Sequence, residues 1–525
     1  MAQQYSGSEI APALAGIVLA AGYSSRMGEL KALKRLGPAT LLEHAASALQ
    51  SIGPAPVVVV TGHEAHMLEN TIEELGGTEV HNPGFASGMF SSVQSGVKAL
   101  MQYPWERIHG PENPSMPDFL LLPVDAAPVR PASIVMLAQA WHDIFKRYGR
   151  AISKRSILIP VFAGRTGHPP VIGKGHAEAI VTYAGDDGLR GYIASLLEND
   201  SATEFMKGMM PSASKRMEDC TGGAYPFPLV AAPAKDAGNP VFFLQLPDAC
   251  IVSDVDTPED FAAAETHFNA TRNLSRPAPE EAWQWLRISG LPEEKIRHSL
   301  KVAQGALRLV IAMGHNGYPL EEELVFNAGL VHDVARACMA GPRKCKDHAR
   351  KGAELCLAMG WQDMAFVVGA HTVLPDALLQ RYHVPLQDVP VRCSQKHDCE
   401  PGKSGMPLPL LYRQIGDGHC REIDLGPLYA DIPQPLADAS LCVYLADKFF
   451  FMDSLVSIEQ RYGQVKERFA TDAPAFEAIT QRERVALAIH DLMREKTGHD
   501  PQELMTGASG HPLDSLAEHY LLGVL

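Results

Sequence analysis

With 525 residues and 46 Lys and Arg against 61 Asp and Glu, the chain carries a formal net charge of −15. That balance argues against a general nucleic-acid binder, whose polyanion affinity rests on accumulated Lys and Arg. The length suits two large domains or three smaller ones, and no apolar run approaches a membrane span. The nine cysteines, an odd number, fit a reducing compartment, so a soluble cytoplasmic protein with no membrane partner is expected.

The first predicted element is a strand. Ile10 to Ala21 is apolar, but no basic residue precedes it and a small-residue loop follows at once, so it does not read as a signal peptide. The loop runs Leu19-Ala20-Ala21-Gly22-Tyr23-Ser24-Ser25-Arg26-Met27-Gly28 and closes at Lys31. A strand emptying into such a loop offers backbone N–H groups and two positive charges to a polyphosphate. Gly22 and Gly28 let the backbone approach phosphate oxygens, Arg26 suits two oxygens at once, and Lys31 acts as a point charge. No Gly-Lys-Ser/Thr follows a four-residue gap, so this is not a Walker loop, and the nucleotide reads as a substrate rather than a fuel.

Four further segments follow in order: Asn82-Pro83 through Gly88-Met89-Phe90-Ser91-Ser92-Val93 and Gly96; Leu120-Leu121-Leu122-Pro123-Val124-Asp125; Gly167-His168-Pro169 with Gly185-Asp186-Asp187-Gly188-Leu189-Arg190; and Asp254-Val255-Asp256-Thr257-Pro258-Glu259-Asp260. Together with the loop they resemble the nucleotidyltransferases of molybdenum cofactor biosynthesis over about Ala15 to His267. Ala21 is similar to the cytidylyltransferase branch, where the guanylyltransferase branch usually has a second Gly.

The resemblance implies a Rossmann-like α/β domain with a mostly parallel sheet that moves a cytidylyl group from CTP to molybdenum cofactor (molybdopterin), releasing pyrophosphate. It implies nucleotide binding by Leu19, Ala20, Ala21, Gly22, Ser24, Arg26, Gly28, Lys31 and Ser91, catalysis by Arg26, Lys31 and Asp125, and acceptor contacts from His168, Asp186 and Arg190. A molybdenum hydroxylase is the protein partner it suggests. The reaction needs a hard cation between the α-phosphate and the leaving pyrophosphate, and Mg²⁺ held by Asp125 and one of Asp254 or Asp256 fits. Both carboxylate groups end short apolar strands, where ligands collect in open α/β sheets.

Each residue also has a plainer account. Asp125 before Pro128 is ordinary turn chemistry, and Asp256 or Thr257 before Pro258 is a helix start. Asp125-Ala126-Ala127-Pro128 departs from the related pattern beside the cation, which leaves a sugar phosphate or another phosphorylated small molecule as the alternative acceptor. A nucleotide sensor or cofactor-delivery protein is the alternative of another class.

The C-terminal half carries a second ordered set: His298; Leu330-Val331-His332-Asp333-Val334-Ala335-Arg336; His348 through Glu354; and Leu445-Ala446-Asp447-Lys448. Imidazole and carboxylate together suit Mn²⁺, Fe²⁺, Mg²⁺ or Zn²⁺. Leu324, Ala328, Val331, Ala335 and Cys338 recur at helical spacing, predicting a helix with His332 and Asp333 at the edge of an apolar stripe. A further helix is predicted from about Leu436 to Tyr462, carrying Asp447. The set resembles the HD superfamily of metal-dependent phosphohydrolases, which implies an all-α domain with one metal on His298, His332, Asp333 and Asp447, and a second near His348 and His371. Arg336, Arg350 and Lys351 are available to a phosphate, though basic helical residues are most often solvated.

The expected organisation is a nucleotidyltransferase domain over 1–270, a linker over 271–283, and a helical domain over 284–525 with an irregular insertion at about 385–435. Within that insertion Cys393, His397, Cys399, His419 and Cys420 lack zinc-ribbon spacing and read as ordinary loop residues.

Overall fold

The computed structural model describes residues 14–53, 56–105, 116–126, 128–197, 227–232, 238–318, 321–339, 348–384, 431–452, 454–507 and 509–522. Residues 385–430, with the Cys and His residues of the insertion, lie outside them. The described chain forms two compact units, one reaching Asn273 and one starting at Leu274.

The first unit is built on strands that are mostly apolar, as strands covered on both faces are. β1 (Leu14–Ala20), β2 (Val57–Thr61), β4 (Asp118–Pro123) and β5 (Ile157–Phe162) are buried at every position. With β3 (Thr78–His81), β6 (Arg165–Thr166), β7 (Val171–Ile172), β8 (Leu229–Ala231) and β9 (Val241–Gln245) they make a nine-stranded sheet of order β8-β9-β5-β7-β4-β1-β2-β3, with β6 beside β5. β4, β1, β2 and β3 run parallel, while β7 is antiparallel to β4 and β5, so the sheet is mixed.

Helices α1 (Leu41–Gln50), α2 (Glu69–Glu74), α3 (Met89–Gln102) and α4 (Pro131–Tyr148) connect the parallel strands. α3 lies close to the sheet at Gly96, where a Cβ would come within 2.8 Å of Ile17 and 2.9 Å of Val60. Beyond β7 come α5 (Ala177–Thr182) and α6 (Gly188–Leu196). α7 (Pro258–Ala270) starts with a capping box between Thr257 and Asp260 and with Pro at its first turn.

The second unit is helical. Its described residues include α8 (Pro279–Ile288), α9 (Glu293–His315), α10 (Glu322–Val331), α11 (His348–Ala358), α12 (Gln362–Ala370), α13 (Gln434–Phe449), α14 (Ile458–Arg468), α15 (Ala473–Thr497) and α16 (Pro512–Leu522), with a short hairpin, β10 (Phe450–Phe451) and β11 (Ser454–Leu455), between α13 and α14. α10 packs on α8, α9, α12 and α13.

The boundary between the two units, after Asn273, falls within the 271–283 stretch, whose later part sends Arg276 into ion pairs with Glu321 and Asp363 and is helical from Pro279. Two expectations are corrected. The helix predicted through Ala335 and Cys338 ends at Val331, and a 3₁₀ turn, Val334–Met339, follows; α10 is buried all round from Leu324 to Val331 rather than striped. The helix predicted from Leu436 to Tyr462 breaks after Phe449, because the chain reverses through Met452 in a left-handed conformation, φ 58°.

Candidate active sites

In the first unit the loop after β1 folds on itself. Ser24 takes a left-handed conformation, φ 51°, its main-chain oxygen accepts from Met27 N at 2.9 Å, and its Oγ accepts from Lys31 N at 2.9 Å. Gly28 has φ +73°, a region glycine enters without strain. The turn places Lys31 Nζ 2.9 Å from Asp256 Oδ1 and 3.3 Å from Asp125 Oδ2, and Arg26 Nη1 3.9 Å from Asp256 Oδ2. Leu19, Ala20 and Ala21 are buried at its root, and Gly22 has open space where a Cβ would stand.

Asp125 and Asp256 are far apart in sequence and are brought together by backbone. Val255 N donates to Asp125 O at 2.7 Å, and Ala126 pairs with Asp254 in an isolated antiparallel bridge. Of the two closing carboxylates, Asp256 meets Lys31, while Asp254 lies toward His168. Burial pushes the Asp254 carboxyl up, with His168 opposing. Burial likewise pushes the His168 imidazole down, against the attraction of Asp254 and Asp125. His168 Nδ1 is buried with no hydrogen-bond partner among the described residues.

Ser91 is taken up by the loop before α3: its Oγ lies 2.8 Å from Gly88 O and 3.0 Å from Gly84 O and accepts from Asn82 Nδ2 at 2.9 Å. Asn82 also donates to Ser92 and accepts from Gly84 N, holding that loop; its place in the quoted segment was the signal for a positioning role. Asp186 and Arg190 are exposed around the start of α6 and share no hydrogen bond or ion pair with the Lys31 group among the described residues. On the β2 and β3 side of the loop, Tyr23 lies 5.0 Å from His63 and 5.1 Å from Phe85 between ring centroids, a cluster with no single sequence motif.

The second unit brings six sequence-identified residues into one buried place. Asp447 Oδ1 is 3.3 Å from His298 Nε2 and 3.7 Å from His332 Nε2; Asp333 Oδ1 is 3.0, 3.6 and 3.8 Å from the Nε2 atoms of His348, His371 and His332. Two groups could each hold an ion and share His332: His298, His332 and Asp447, and His332, Asp333 and His371.

The imidazoles are oriented from behind. His332 and His371 each stand one residue past the end of a helix, α10 and α12, and send Nδ1 to the carbonyl three residues back, Gly329 at 2.8 Å and Val368 at 2.6 Å. His298 Nδ1 meets Met452 O at 2.6 Å, so the break after α13 supplies its acceptor. A carbonyl only accepts, so each Nδ1 carries the proton and each Nε2 lone pair faces inward, as in metal-binding histidines.

His332 Nε2 has no hydrogen-bond partner among the described residues, and burial pushes that imidazole down to about 3. Burial alone would raise Asp333, but its neighbours His332, His348, His371 and Arg336 hold its carboxyl well below the carboxylate range. Asp447 is held low in the same way, burial being outweighed by Lys448, Arg461 and His298. Inward lone pairs and ionised carboxylates, with one nitrogen left unpartnered, fit a divalent cation of borderline softness.

Residues 16–201 match the model of the MobA-like NTP transferase domain. The chain is 27% identical over 160 residues to a molybdenum cofactor cytidylyltransferase of Escherichia coli (strain K12), across 30% of this chain and 69% of that protein. It is 38% identical over 89 residues to a probable molybdenum cofactor guanylyltransferase of Opitutus terrae, across 17% of this chain and 42% of that protein. Among solved structures, Rv0371c of Mycobacterium tuberculosis H37Rv aligns over 49% of this chain and 100% of its own at 18% identity, with a TM-score of 0.31. Within the first unit, residues 16–201 are thus similar to NTP transferase domains of the MobA-like type. No helix of the described residues is long and apolar enough to cross a membrane.

Proposed function

We propose that the first unit transfers a cytidylyl group from CTP to molybdenum cofactor with release of pyrophosphate, and that the second hydrolyses a phosphoester at a divalent metal centre. For the first, the carrying observation is Lys31 drawn between Asp125 and Asp256 beneath the glycine loop. Mg²⁺ held by Asp125 and Asp256 would supply charge neutralisation between the α-phosphate and the departing pyrophosphate. Lys31 is the fixed positive charge, and Arg26, 73% exposed at its side chain, is free to swing onto phosphate oxygens. The acceptor's terminal phosphate is already anionic at neutral pH, so positioning and charge carry most of the rate and no strong base is demanded. His168, kept neutral by burial, stands beside Asp254 as a hydrogen-bonding group toward the acceptor. The aromatic cluster of Tyr23, His63 and Phe85 offers the base a stacking edge.

The choice of CTP and of molybdopterin draws on the 27% identical relative and on Ala21. Pyrophosphate release measured with CTP and GTP, each against molybdenum cofactor and a panel of sugar phosphates, tests it: CTP with the cofactor is expected to be fastest. Faster turnover of a sugar phosphate overturns the acceptor, and nucleotide binding without turnover overturns catalysis in favour of a sensor.

For the second unit the carrying observation is the set of imidazoles, His298, His332 and His371, whose Nδ1 atoms are tied to main-chain carbonyls and whose Nε2 atoms converge on Asp333 and Asp447. A metal there would polarise a phosphoryl oxygen and acidify a bound water. Arg336, on Asp333 at 2.6 Å and 43% exposed, is placed to exchange that carboxylate for a substrate phosphate.

A further inference from the structure

The two oxygens of Asp447 keep different company. Oδ1 faces the imidazoles of His298 and His332, whereas Oδ2 receives Lys448 Nζ at 2.8 Å and lies 3.5 Å from Arg461 Nη2. Lys448 is 5% exposed, an unusual burial for a lysine, and its ammonium is occupied on every side the described residues show. It donates to the main-chain oxygen of His371 at 2.9 Å and sits 4.5 Å above the centre of the Tyr444 ring. One ammonium therefore ties the Asp447 carboxylate of α13 to the backbone of His371, just past α12, and so links members of both candidate ligand groups.

The contrast with Arg336 gives this arrangement its meaning. Arg336 lies on Asp333 Oδ1, the same oxygen that the imidazoles approach, and its side chain is partly in solvent. An arriving cation must displace it, and it has somewhere to go. Lys448 lies on the oxygen of Asp447 that points away from the imidazoles and is buried among the described residues, so the same cation leaves it in place.

We propose that Lys448 is a positioning residue for the metal centre of the second unit: it occupies Asp447 Oδ2 so that only Oδ1 is offered to the ion, and it holds the His371 backbone in step with that carboxylate. This rests on the reading of the second unit as a metal centre. Arg461 assists from Oδ2 and from its bonds to the main-chain oxygens of Asp447 and Phe450. Partners behind a ligand commonly change metal affinity about 10–100-fold when removed.

The test uses the full chain, freed of metal and titrated with Co²⁺, whose visible bands report coordination number and geometry. Bands present in wild type and lost in His332→Ala belong to the second unit. Lys448→Met is expected to bind Co²⁺ at least about tenfold more weakly, with altered band intensities as Asp447 turns toward two-oxygen coordination. Lys448→Arg keeps the charge but moves the donor, and should recover affinity to within about threefold while its bands remain shifted. Wild-type affinity and bands in Lys448→Met overturn the positioning role and leave the metal centre standing. Should that variant fail to fold, unshifted bands in Lys448→Arg overturn it equally. Identical Co²⁺ binding by wild type and His332→Ala overturns both readings.

Discussion

The charged site of the first unit is assembled from loops beyond strand ends and is open, with the side chains of Arg26 and Asp256 73% and 50% exposed. The site of the second is assembled from helix ends and is closed, with His332, Asp333 and Asp447 buried. The difference suits what we propose each to hold. A large anionic substrate that comes and goes needs charges that reach and release, and exposed long side chains supply them. A small cation needs ligands already stripped of water and aimed, since a buried, oriented lone pair has no competing hydrogen bond to lose.

The largest effect that separates the two is at Asp125. Asp125→Ala is expected to lower pyrophosphate release by roughly 10²–10³-fold or more, the scale of losing a preorganised charge-stabilising group. The metal content of the second unit should stay unchanged; a variant within tenfold of wild type removes Asp125 from the site. The converse variant, His332→Ala, is expected to lose the metal of the second unit on elemental analysis while cytidylyl transfer proceeds at the wild-type rate. Equal metal in both proteins rejects the ligand assignment.

Acid should strike the closed site next. His332 and His348 are both pushed down in the folded chain, mainly by burial, whereas an unfolded imidazole titrates near 6.5. Between that value and the folded ones the unfolded chain binds more protons, so the stability these groups contribute is full above about pH 6.5 and falls as pH drops below it. Asp333 and Asp447, held low, add their own loss only below about pH 4. In calorimetry, the transition that added metal moves upward should therefore move downward between pH 7 and 4; a transition indifferent to pH across that window contradicts the neutral, buried imidazoles. The smallest expected effect is Arg26→Lys. An exposed pair at 3.9 Å contributes little, so the melting temperature should not move, while KM for CTP should rise a few-fold as paired contact with two phosphate oxygens is lost. A large drop in melting temperature would make Arg26 part of the fold rather than of the substrate cradle.

The open site was the more legible in sequence, because its residues follow apolar strands directly and strand ends are marked by where valine and leucine give way to small or charged residues. Lys31, Asp125 and Asp256 meet as those positions imply. Asp186 and Arg190, equally prominent in sequence, share no hydrogen bond or ion pair with them among the described residues, since a motif at a helix start does not say which groups that helix will face. In the second unit the residue types and the helical class were legible and the helix ends were not. Periodicity finds the apolar face of a helix, but α10 has no polar face, and the break at Met452 depends on a hairpin that the apolar run Phe449-Phe450-Phe451 conceals. Lys448 reads as one more basic residue until its burial is seen.

The carbonyls that orient His332 and His371 belong to the last turns of α10 and α12, and Val368 O also accepts from His371 N at 3.5 Å. Helix length is therefore a chemical variable in this protein. Each added or deleted residue turns whatever follows by about 100°, so a single-residue insertion in α10 would swing the His332 ring off the cluster while leaving every ligand in the chain. Tolerance to such a change, rather than to substitution, is the sharper measure of how strictly this backbone dictates coordination.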